Sequence, residues 1–71
     1  MDESLLELFG RRLQVKRRER GYSQEAFAAL CKVDRRYMGR VENGQVNVTL
    51  LKVYLFAEML NVDVCELLKD C

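Results

Sequence analysis

Four times in this chain a small polar residue stands between two apolar ones at the spacing that starts an α-helix. Ser23 lies between Tyr22 and Phe27, Asp34 between Val33 and Met38, Thr49 between Val48 and Val53, and Asp63 between Val62 and Leu67. The polar side chain can accept a hydrogen bond from an N–H that the first helical turn leaves unpaired, and the flanking apolar pair staples the preceding chain to that turn. Ser4 followed by Glu7 adds a capping box, so a first helix is predicted over about Leu5 to Arg20. Gly21 stops it, and Gly44 and Asn61 stop two others, because these residues tolerate the left-handed conformation that closes a helix. The chain contains no proline and no alternating apolar and polar run long enough for a strand. The expected fold class is therefore all-α, with five helices.

Seventy-one residues make one small domain. That is near the lower end of what a single core stabilises alone, so help from a second chain is expected. A core this thin has little room for a catalytic pocket. With no histidine in the chain and no nucleophile beside a base, an enzyme is disfavoured and neither cofactor nor small-molecule ligand is expected. Cys31, Cys65 and Cys71 are odd in number and far apart, a pattern of neither a disulfide framework nor a zinc site. Cys31 reads as core, and Cys65 and Cys71 as thiols of a reducing compartment. Acidic residues follow Met1, and no apolar run approaches the roughly 20 residues of a membrane span. A cytoplasmic protein with no membrane partner is expected.

The net charge of +1 conceals a strong polarity. Residues 11–40 hold ten Lys and Arg against three acids, a balance of +7, whereas residues 45–71 hold two against four, a balance of −2. The basic half suits a phosphate-bearing partner; the plain alternative is a solvated face. The helix predicted after Asp34 tips the balance. With Met38 and Val41 inward, Arg36, Arg40 and Asn43 fall on one outward stripe at i, i+4 and i+7. Arginine can fork onto guanine O6 and N7 in the major groove, and asparagine can serve a base or a phosphate. Arg35 and Arg36 occupy the first turn, where cations oppose the helix dipole at a cost of roughly 0.3–1 kcal/mol each. An external anion would compensate. Gly39 in mid-helix costs about 1 kcal/mol relative to alanine; close approach to DNA and a tight helix–helix contact explain it equally well.

Taken together, YSQEAFAAL followed by a turn and DRRYMGRVENG resembles the lambda-repressor-like, or Xre-type, helix-turn-helix family, over residues 9 to 68. The resemblance implies double-stranded DNA as partner, with base contacts from Arg35, Arg36 and Arg40. It implies backbone contacts from Gln24, Tyr37 and Asn43, and an internal ion pair between Arg17 and Glu42. Two departures stand out. Lys32 occupies a turn position usually taken by glycine, where a left-handed residue is strained by roughly 1 kcal/mol. Lys16 replaces an apolar residue, so its stem could pack while its ammonium reaches a phosphate as a further backbone contact.

From Leu50 to Leu60 only Lys52 and Glu58 are charged. Leu50, Val53, Ala57 and Leu60 make an inward face with Phe56 at its edge, leaving Leu51, Leu55 and Met59 as a second apolar stripe beside Tyr54. Such a stripe marks an interface unless the last helix or the N-terminal segment covers it. The expectation is a homodimer joined through residues 49–70, placing two recognition helices over an inverted repeat. As a transcriptional regulator it would act by occluding or recruiting RNA polymerase, under control of its own concentration. Restriction-modification controllers and small phage or plasmid repressors share that economy. The alternatives are an antitoxin gripping its toxin through the helix-4 stripe, or an interaction adaptor without DNA affinity.

Overall fold

All four α-helices end in the same way. In the computed structural model, which describes residues 3–68, these are α1 (Glu3–Glu19), α2 (Gln24–Leu30), α3 (Arg35–Glu42) and α4 (Leu50–Leu60). After each, one residue turns left-handed: Gly21, Lys32, Gly44 and Asn61, with φ of 81°, 59°, 72° and 56°. The two N–H groups that follow fold back onto helix carbonyls. Tyr22 N–H reaches Arg17 O and Gly21 N–H reaches Arg18 O, and the pattern repeats at Val33 and Lys32, Gln45 and Gly44, Val62 and Asn61. This pair of hydrogen bonds satisfies carbonyls that a helix end otherwise leaves unpaired, so each chain reversal is sharp.

The helix starts are less uniform. Ser23 Oγ accepts from Ala26 N–H at 3.0 Å and Thr49 Oγ1 from Lys52 N–H at 3.2 Å. The Tyr22 and Phe27 rings lie 5.7 Å apart, the staple expected of their spacing. Asp34 precedes α3 with extended backbone, but its carboxylate makes no capping bond. At the amino end the helix begins at Glu3, ahead of Ser4, so Ser4 is not the cap.

The expected fifth helix is a single 3-10 turn, Val64–Glu66, so the described chain is a four-helix fold with a terminal turn. Asp63 and Glu66 do start it: Asp63 Oδ1 accepts from Cys65 N–H, and Glu66 Oε2 from Asp63 N–H. Leu67 is fully buried, and Arg12 Nη1 donates to the Leu68 carbonyl, tying this turn to α1.

Phe27, Phe56, Leu13, Met38, Leu60, Leu67 and Val41 form the centre of the core. Phe56 stands between Phe9 and Phe27, at 6.5 and 6.1 Å between ring centroids. Phe56 is thus central rather than at the edge of α4. Leu50, expected inward, is 69% exposed, and the loop before it supplies Val46 and Val48 to the core instead. Leu51 is 83% exposed and Tyr54 is exposed, whereas Leu55 and Met59 are half-buried against the core. The expected stripe is therefore split: Leu51 is its exposed part, beside Tyr54, and Leu50 joins them from the face expected to be inward. Cys31 is buried, which pushes its thiol up to about 11. Cys65 is disulfide-bonded, which corrects its reading as a thiol; Cys71 lies outside the described residues. No helix among the described residues is long and apolar enough to cross a membrane.

Candidate nucleic-acid interface

The second and third helices are joined by the four residues Cys31–Asp34. Buried Cys31 anchors the turn and left-handed Lys32 reverses it, so α3 is held by Met38 and Val41 from beneath. Its opposite side carries Arg35, Arg36 and Arg40, all exposed. They border an open groove with Gln24, Asp34, Gly39 and Asn43. Among the described residues no carboxylate forms an ion pair with these three arginines. Two lie in the first turn of α3, which has no acidic residue and no side-chain cap. The helix start therefore presents uncompensated positive charge outward.

Gly39 lies on the floor of the groove. A Cβ placed there would sit 3.4 Å from Gln24 Oε1, an ordinary contact with a side chain. A tight helix–helix contact therefore does not explain the glycine.

Beneath the groove, Arg17 and Glu42 meet as a fork, with Nε–Oε2 at 2.6 Å and Nη2–Oε1 at 3.0 Å. Their side chains are 6% and 1% exposed. Arg17 Nη1 also donates to Tyr22 O at 2.8 Å, and Gln24 Nε2 donates to Glu42 Oε1 at 3.1 Å. One carboxylate thereby ties α1, α2 and α3 together. It also fixes the Gln24 amide at the groove's edge, a role in which charge, donors and acceptors are all satisfied. Asn43, the last residue of the α3 turn, is exposed at the far end of the groove, and Tyr37 is half-buried with its ring against the core.

Lys16 is not brought to this groove. Its ammonium meets Glu66 at 3.2 Å and Glu19 at 3.5 Å, bridging α1 to the terminal turn. The hydrogen bond to Glu66, with the charge of Glu19, raises the Lys16 pKa above its ordinary value. Gly10, which sequence reasoning passed over, matters more. A Cβ there would lie 2.5 Å from the carbonyl oxygens of Val41 and Glu42. Gly44 is equally confined, its Cβ position 2.7 Å from Glu7 Cγ and 2.8 Å from Glu7 Cα. The available signal was a glycine in the middle of a predicted helix, which costs about 1 kcal/mol unless close approach requires it.

Comparison with known proteins agrees with this geometry. Residues 13–67 match the helix-turn-helix family HTH_3. The control protein C.MunI of a Mycoplasma species is 38% identical over 63 residues, covering 87% of this chain and 85% of that protein. The restriction-modification controller protein C.AhdI of Aeromonas hydrophila superposes with a TM-score of 0.83 at 44% identity, covering 87% of this chain and 94% of its own. The hypothetical transcription factor NHTF of Neisseria superposes with a TM-score of 0.87 at 31% identity, covering 99% and 82%. With the α2–turn–α3 unit, its cationic outer face and these relatives in agreement, the chain belongs to the Xre-type, lambda-repressor-like helix-turn-helix family of DNA-binding transcription regulators.

Proposed function

We propose that this protein is the controller of a restriction-modification system, a cytoplasmic homodimer that binds an inverted-repeat operator near its own gene. The observation that carries the reading is the outward face of α3, where Arg35, Arg36 and Arg40 stand exposed and unpaired around an open groove. The relatives at 38% and 44% identity supply the biological class. In this reading Arg36 and Arg40 read base edges from one stripe, and Arg35 does so from the first turn. Gln24, Tyr37 and Asn43 hold the sugar-phosphate backbone and so set the depth and register of α3. The whole chain acts as one DNA-binding domain, with α4 joining two copies through Leu51 and Tyr54, flanked by Leu55 and Met59. With no ligand-binding site in the proposal, occupancy follows protein concentration, and RNA polymerase is occluded or recruited at the same promoter.

A footprint on the DNA immediately upstream of the protein's own coding region tests this directly. The expected result is protection of two half-sites about one helical turn apart, roughly 34 Å, at a protein concentration where random DNA stays unprotected. Protection of neither that region nor the neighbouring restriction-modification genes would overturn the controller reading.

A further inference from the structure

The groove beside α3 does not end at Asn43. A second polar groove begins there, between α1 and the end of α3, lined by Glu7, Arg11, Gln14, Glu42 and Asn43. We infer that Arg11 and Gln14 form a second clamp on the sugar-phosphate backbone of bound DNA, continuous with the contacts of α3; the inference rests on the DNA-binding reading above. Gly10 and Gly44 make the arrangement possible. A Cβ on either would collide with backbone, of Val41 and Glu42 in one case and of Glu7 in the other, so α1 lies directly across the end of α3. That approach brings the next exposed residue of α1, Arg11, alongside Asn43.

Sorted by what already holds them, the charges in this groove leave one cation, Arg11, available to an anion and one carboxylate, Glu7, opposing it. Glu42 is neutralised inside the fold by Arg17 and further held by Gln24. Arg11 is exposed and has no ion-pair partner among the described residues. Its planar, weakly hydrated fork suits a phosphate, and the Gln14 amide adds neutral donors one turn further on. Arg18, four residues beyond Gln14 and also exposed, continues the same edge of α1. Glu7 is the opposing carboxylate, and it limits how tightly this edge can hold DNA.

Backbone contacts carry no sequence information, so the signature is electrostatic. Full-length protein and its variants are titrated against a random-sequence duplex and the footprinted upstream duplex, from about 50 to about 200 mM salt. Arg11→Ala should weaken both complexes alike and make the slope of log K against log salt shallower by about 1. Gln14→Ala should weaken both severalfold with the slope unchanged, and Glu7→Gln should tighten both. Lys52→Ala removes one cation from α4 and should leave the slope unchanged; thermal melts of all four variants confirm folding. An Arg11→Ala slope equal to the parent's would overturn the inference while leaving the DNA reading intact. An equal loss of slope in Lys52→Ala would also overturn it, because net charge alone would then be responsible. A parent protein without salt-dependent binding would overturn the DNA reading and this inference together.

Discussion

Arg36 and Arg40 differ from the cations that the fold itself holds. Arg17 is buried on a carboxylate, Arg12 is bonded to the Leu68 carbonyl, Arg20 to the Asn61 carbonyl, and Lys16 is held between Glu19 and Glu66. Arg36 and Arg40 have no such internal partner among the described residues, so in the proposed complex they are available to base edges. Arg36→Ala and Arg40→Ala should each weaken binding to the specific site by about 1–3 kcal/mol, with relaxed preference at particular base pairs. Competition titrations against single-base operator variants measure this. Equal losses on operator and random DNA would show phosphate contacts instead.

At the scale of the helices, one buried fork and one strained turn decide how α3 is presented. Glu42→Ala leaves the Arg17 guanidinium buried without its carboxylate and removes the acceptor of Gln24, which should cost about 3–5 kcal/mol. At about 4–8 °C per kcal/mol for a domain this size, the melting midpoint should fall by more than about 10 °C. A midpoint close to the parent's would mean that water replaces the carboxylate at little cost. Lys32 sets the opposite expectation. It is left-handed at φ 59° without the freedom of glycine, and it is exposed. Lys32→Gly should relieve roughly 1 kcal/mol of strain, offset in part by the larger unfolded-state entropy of glycine. A small rise in melting midpoint is expected, and a fall would show that the lysine stem makes a compensating contact.

For the whole molecule, the exposed apolar residues of α4 and the size of the fold belong to one argument. Its principal extents are 28 × 23 × 19 Å, and in the proposed dimer the two α3 helices would have to lie about one turn of DNA, roughly 34 Å, apart. One recognition helix gives less contact area than a tight and specific complex needs, so in the proposed dimer a second copy would serve function as well as burial. Because Leu55 packs partly against the core, a charge there would disturb the fold; Leu51, at 83% exposure, is the cleaner probe. Leu51→Glu should keep its helical circular dichroism, become monomeric by sedimentation equilibrium at micromolar concentration, and lose operator affinity together with dimerisation. A variant that stays dimeric would move the interface away from α4.

Local grammar was legible from sequence because its causes are local. The starts of α2 and α4 follow from capping oxygens within three residues, α3 starts at the expected place although Asp34 makes no capping bond, and the stops at Gly21, Gly44 and Asn61 follow from their tolerance of positive φ. The outward stripe of α3 was legible for the same reason, since helical periodicity alone separates Arg36 and Arg40 from Met38 and Val41. What depended on partners distant in sequence was not, apart from the Arg17–Glu42 pair that the family resemblance implied. Asp63 is a good helix start, yet the described residues after it form one 3-10 turn, with Leu67 drawn into the core and Arg12 bonded to the Leu68 carbonyl. Lys16 could have reached phosphate by its place on α1, but Glu66, fifty residues later in the chain, holds it elsewhere. Leu50 and Phe56 exchanged their expected roles because α4 is apolar nearly all round, and periodicity cannot choose a face when every face qualifies; the packing of Phe9 and Phe27 around Phe56 chooses it.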